Sequence, residues 1–92
     1  MSNIDQLAGH IIQEQEAIIG PVAWSEARKV QGLEINVQSH EVHIQGNPRE
    51  TLEGLVTQYE RLFGRASREV CRDAVRSMIS QVPQEEVPAV LR

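Results

Sequence analysis

A chain of 92 residues, 40% hydrophobic and 24% charged, has the length and mixture of one globular domain around one core. Its net charge of −4 makes nucleic acid an unfavoured partner, and its single cysteine, Cys71, excludes an intrachain disulfide or a multi-cysteine metal site. Trp24, Tyr59 and Phe63 are the only aromatic residues, so the core must come from Ile, Val, Leu and Ala, with few platforms on which bases or sugars could stack.

The first segment reads as helical over residues 3–31. Ile4, Leu7, Ala8, Ile11 and Ile12 recur at helical spacing, and Ile18, Ile19, Val22, Ala23, Ala27 and Val30 continue the series. Gly20-Pro21 interrupts it, because proline removes a backbone donor and collides with the preceding turn. Either the helix kinks there, or Gly20 closes one helix and Pro21 opens the next. Arg28, Lys29 and then Gly32 form a stop signal.

A β-hairpin is expected over 33–46. Leu33, Ile35 and Val37 alternate with polar residues, as do Val42 and Ile44. Pairing Val37 with Val42, Ile35 with Ile44 and Leu33 with Gly46 puts every apolar residue on one face, around a Gln38–Glu41 loop. Asn47-Pro48-Arg49-Glu50 then supplies a cap, a first-turn proline and a capping-box acid. Leu52, Leu55, Val56, Tyr59, Leu62 and Phe63 mark one face of a helix over 48–63. With a turn at Gly64–Ser67, a second helix is expected over 67–82, followed by a tail over 83–92 that is extended or only briefly helical between Pro83 and Pro88. The fold class is therefore α+β: a kinked or divided N-terminal helix, a two-stranded antiparallel β-hairpin and a C-terminal helical pair, all in one domain.

Chemistry-bearing residues are sparse. His40 and His43 point to opposite faces of a strand unless His40 sits in a turn, and His10 is remote in sequence. No cysteine or carboxylate set completes metal-ligand spacing around them, so no metal and no cofactor are expected. Cys71 falls in phase with Val75 and Met78, the place of an inert buried thiol, although Arg68 and Arg72 would activate it if it were exposed. The glycines form no phosphate-binding pattern and the serines no nucleophile elbow. An enzyme is not expected.

Two surfaces remain. Arg61, Arg65, Arg68, Arg72 and Arg76 fall on one helical face if the segment is continuous, five Arg against Glu69 and Asp73, or +3. They form either a strip for nucleic acid or an acidic protein, or a solvated face satisfied by acids three residues away. Residues 1–27 carry Asp5, Glu14, Glu16 and Glu26 with no basic residue, or −4. A first helix of about 40 Å, at 1.5 Å per residue, would project beyond so small a globule and leave an apolar stripe to cover. A symmetric homodimer through Ile11, Ile18, Val22 and Trp24 would cover it. The expectation is a non-catalytic interaction or regulatory module acting as a homodimer, with an arginine-strip binder as the alternative. Apolar runs no longer than three residues and no leader-like start favour a cytoplasmic protein away from membranes.

Overall fold

The computed structural model describes residues 3–36 and 38–91, Ile79 by its main chain alone. Helix α1 (Asn3–Ile19) is followed by the short α2 (Val22–Ala27), strands β1 (Leu33–Asn36) and β2 (Glu41–Ile44), and helices α3 (Pro48–Phe63) and α4 (Arg65–Arg76). Single 3-10 turns follow at Ile79–Gln81, Gln84–Glu86 and Ala89–Leu91. This is the expected α+β arrangement. Among the described residues, no helix is long and apolar enough to cross a membrane.

The division at Gly20-Pro21 is complete rather than a kink. The Gly20 amide closes α1 on the Glu16 carbonyl at 2.9 Å, and the Ala23 and Trp24 amides start the next turn on Gly20 and Pro21. Helix α2 packs back on α1, and the Tyr59 hydroxyl ties it to α3 by donating to the Ala23 carbonyl at 2.7 Å. The molecule measures 29 × 27 × 21 Å. At 1.5 Å per residue, α1 is about 26 Å long and fits within it. The projecting rod expected from the apolar phase therefore does not form.

Ile4, Leu7, Ala8, Ile11 and Ile12 of α1 meet Leu52, Leu55, Val56 and Tyr59 of α3 and Cys71, Ala74 and Val75 of α4 in one core. Gln15 is buried among them, 1% exposed, and its amide donates to the Ser67 carbonyl at 2.9 Å and to Cys71 Sγ at 3.3 Å. These bonds fix α1 against α4 and satisfy a polar group that would otherwise destabilise the core.

The hairpin pairs Leu33 with Ile44 and Ile35 with Val42, two residues from the expected register. The apolar residues still share one face, because a shift of two preserves side-chain parity. Asn36 decides the outcome: its Oδ1 accepts from the Gln38 and Ser39 amides at 3.0 and 3.3 Å, and its carbonyl accepts from His40. That local turn places the tip earlier than the Gln38–Glu41 loop expected. The expected partner Val37 lies outside the described residues.

Asn47 caps α3 as read, its side chain accepting from the Glu50 amide at 3.0 Å. Gly64, at φ 88°, ends α3 and starts α4 within one residue, a conformation glycine adopts without a side-chain clash. Helix α4 therefore begins at Arg65 rather than Ser67, and it stops at Arg76, short of residue 82. Pro83 holds Val82 extended (φ −126°, ψ 147°), and the chain tightens to 3-10 geometry before it. The tail that follows is briefly helical, and it is not peripheral: Val87, Pro88 and Leu91 are buried against the helices.

Candidate functional site

The histidines do not assemble a reaction centre. His10 Nε2 lies 3.2 Å from Ser77 Oγ and 3.7 Å from Glu14 Oε1. Both contacts use the same ring nitrogen, whereas a catalytic relay needs hydroxyl and carboxylate on opposite nitrogens. Ser77 also donates its own proton to the Ala74 carbonyl at 2.8 Å, so its oxygen is left as an acceptor. His40 sits in the turn at φ 60° and stacks on Trp24, with ring centroids 3.9 Å apart. His43 faces Asp5 and Glu41 at 3.6 and 3.8 Å. His10 and His40 line one groove of about 310 Å³ between α1 and the hairpin, with Asp5, Gly9, Gln13 and Val42. Among the described residues, no group of three His, Cys, Asp or Glu could hold a metal ion.

Cys71 lies in the core, and burial pushes its thiol up to about 11, the Gln15 hydrogen bond opposing this only in part. At neutral pH it is a protonated, enclosed thiol. The folded protein should resist alkylation that proceeds readily in denaturant, and rapid modification of the native protein would refute its enclosure. The raised value also has a sign for stability. Below pH 9 the thiol is neutral folded or unfolded; between 9 and about 11 only the unfolded chain ionises, so stability should fall across that window. Urea titrations at rising pH should show the fall, and Cys71→Ala should blunt it.

The arginine strip is divided. Gly64 separates Arg61 from α4, and Arg61 instead donates to Gln58 at 2.8 Å. Arg65, Arg68, Arg72 and Arg76 share the face of α4 away from Cys71 and Ala74. Arg68 pairs with Glu60 at 2.7 Å, Arg72 with Glu69 at 3.5 Å and Arg76 with Asp73 at 3.0 Å.

The four residues expected at a dimer face also divide. Ile11 and Trp24 are buried within the chain itself, 0% and 4% exposed, and cannot form a contact surface. Both belong to the hydrophobic core, Trp24 on the α2 segment that packs back on α1. Ile18 and Val22, by contrast, stand 66% and 39% exposed. Leu62 and Phe63, unassigned to any surface by the sequence, join them at 46% and 38%. These four are the large apolar side chains the described fold leaves exposed, and the tertiary contacts put them at one end. Gln15, three residues before Ile18, bonds Ser67, three residues after Gly64. Tyr59, four residues before Phe63, bonds Ala23, the neighbour of Val22. The α1–α2 and α3–α4 turns thus fall at the same end of the fold, which makes that end an apolar pole.

Helical phase explains the pole. Ile18 follows Ile11 by seven residues, Leu62 follows Leu55 by seven and Phe63 follows Val56 by seven, each in phase with a buried residue. The apolar stripes of α1 and α3 both overrun the core, at the same end. That repetition of seven was legible in the sequence; the adjacency of the two turns was not. Compared with known protein families, curated proteins and solved structures, the chain matches none.

Proposed function

We propose that the protein is a non-catalytic interaction module that works as a homodimer, with the apolar pole as its contact surface. The observation that carries this reading is the overrun of two helical stripes at one end, where Ile18, Val22, Leu62 and Phe63 are each exposed beside the two helix turns. Exposed apolar patches on a small domain favour association with another surface. The charge around the pole supports a second copy as the occupant. Exposed Arg61 and Arg65 flank the α3–α4 turn, while α1 carries Glu14 and Glu16 and no Lys or Arg. A two-fold axis through the pole would set the arginine side of each copy against the acidic side of the other. The pairing of Arg68, Arg72 and Arg76 with carboxylates of the same chain weakens the alternative of a strip for nucleic acid or an acidic protein.

Light scattering across a dilution series should return a dimer for the native chain. Ile18→Glu with Leu62→Glu should return a monomer with unchanged circular dichroism, since neither side chain belongs to the core. A native chain that stays monomeric at every concentration sinks the proposal.

A further inference from the structure

The two edges of the hairpin are treated differently. The Gln45 amide donates to the Gly32 carbonyl at 2.7 Å, which fixes the alternation of the ladder: Gly32, Glu34 and Asn36 point their backbone groups toward β2, and Leu33 and Ile35 point theirs outward. On β2 the corresponding outward amide, Ile44, is taken by Asp5 Oδ1 at 2.8 Å, and α1 lies along that strand. On β1 the Leu33 amide turns back to the Val30 carbonyl at 3.3 Å. The Leu33 carbonyl and both backbone groups of Ile35 meet no hydrogen-bond partner among the described residues, and β2 is the element that packs most extensively on β1.

We infer that the outer edge of β1 captures an extended peptide of another protein, one that alternates apolar and basic residues, as a third strand. A peptide residue opposite Ile35 would exchange two backbone hydrogen bonds with it and set its side chain beside half-buried Ile35, on the core face. The flanking peptide residues would project to the outer face. There Glu34, Asn36, Glu41 and His43 are exposed, and with Ile35 they line a groove of about 290 Å³. This face carries two carboxylates and no Lys or Arg, which selects lysine or arginine at those peptide positions. It disfavours self-pairing: two β1 strands joined about Ile35 would bring four carboxylates onto one small sheet face. The edge is distinct from the pole, and the inference does not rest on the pole's role.

The test uses the whole chain and a capped peptide of alternating valine and lysine. Amide NMR should show shifts and slowed hydrogen exchange centred on Ile35. N-methylation of the valines, which removes strand hydrogen bonds without changing charge, should weaken binding on the order of tenfold. Peptides alternating serine with lysine, or valine with glutamate, should bind more weakly by a similar factor, and the Ile18→Glu, Leu62→Glu chain should bind the valine–lysine peptide as the native chain does. Equal affinity for the serine–lysine peptide would reduce the effect to bulk charge and overturn the inference. So would indifference to N-methylation, shifts centred on the pole, no binding, or β1 shifts in the free protein that grow with its concentration, the mark of self-pairing.

Discussion

A chain ending at Val82 should be largely unfolded in water at room temperature. The tail it lacks contributes Val87 and Leu91, 0% and 3% exposed, and the fully buried Pro88. Burial of a Val or Leu side chain stabilises by about 1.5–3 kcal/mol, so these two alone supply about 3–6 kcal/mol. Domains of this size are stable by only about 5–14 kcal/mol, at 0.05–0.15 kcal/mol per residue. Removing the tail would also bare the faces of α3 and α4 that it covers, so the loss consumes most of the margin. Circular dichroism melts are the check: the truncated chain should show no cooperative transition, and Leu91→Ala should melt cooperatively but lose about 2–5 kcal/mol in urea titration. A truncated chain with an unchanged transition would show that the tail only rests on the surface.

The second large effect is expected at Gly32, where the chain enters β1. Its φ is +89°, and a Cβ there would lie 2.6 Å from Thr51 Oγ1 and 3.0 Å from the Gln45 carbonyl oxygen. Alanine would carry a left-handed backbone cost of about 1–2 kcal/mol and, in addition, displace a buried threonine and crowd the Gln45 carbonyl beside it on the neighbouring stretch of chain. Gly32→Ala should therefore lose about 2–4 kcal/mol. Gly64→Ala, at φ +88° and ψ −174° with nothing within 4 Å, carries a backbone cost without a side-chain clash and should lose about 1–3 kcal/mol. Thr51→Ala in the Gly32→Ala background should recover some of the difference in a double-mutant cycle. Equal losses at the two glycines would show that Thr51 moves aside freely.

Local chemistry was what the sequence displayed best. Asn47-Pro48-Arg49-Glu50 announces a helix start because its cap, proline and acid act within a single turn, and α3 begins there. Gly20-Pro21 and Gly64 break helices for equally local reasons. The hairpin register was harder, since pairings two residues apart put the same apolar residues on the same face. Only the reach of the Asn36 side chain to two amides separates them. The tail was illegible as core, because Val87, Pro88 and Leu91 span barely one helical turn and Pro83 and Pro88 interrupt any longer periodic run. Apolar phase alone could not separate core from surface either: Ile11 and Ile18 are indistinguishable by period, and one is buried while the other is exposed. Gln15 carried a signal that polarity concealed, for it lies in phase with Ile11 and Ile12. The Trp24–His40 stack joins residues whose proximity depends on the fold-back of α2, which no local pattern specifies.

The closure of α1 on α4 has a consequence for how the chain is made. Asn3 bonds the Gln81 carbonyl 78 positions away, and Gln15 bonds Cys71 across 56. During synthesis at about 5–20 residues per second, the first helix therefore waits about 4–16 s before the stretch of chain that seals it has been added. Throughout that interval Ile4, Leu7, Ile11 and Ile12 form an amphipathic segment without its final neighbours. The nascent chain is thus most exposed to premature association at its N-terminal helix, a vulnerability that ends only once the C-terminal turns carrying Val87 and Leu91 have joined the core.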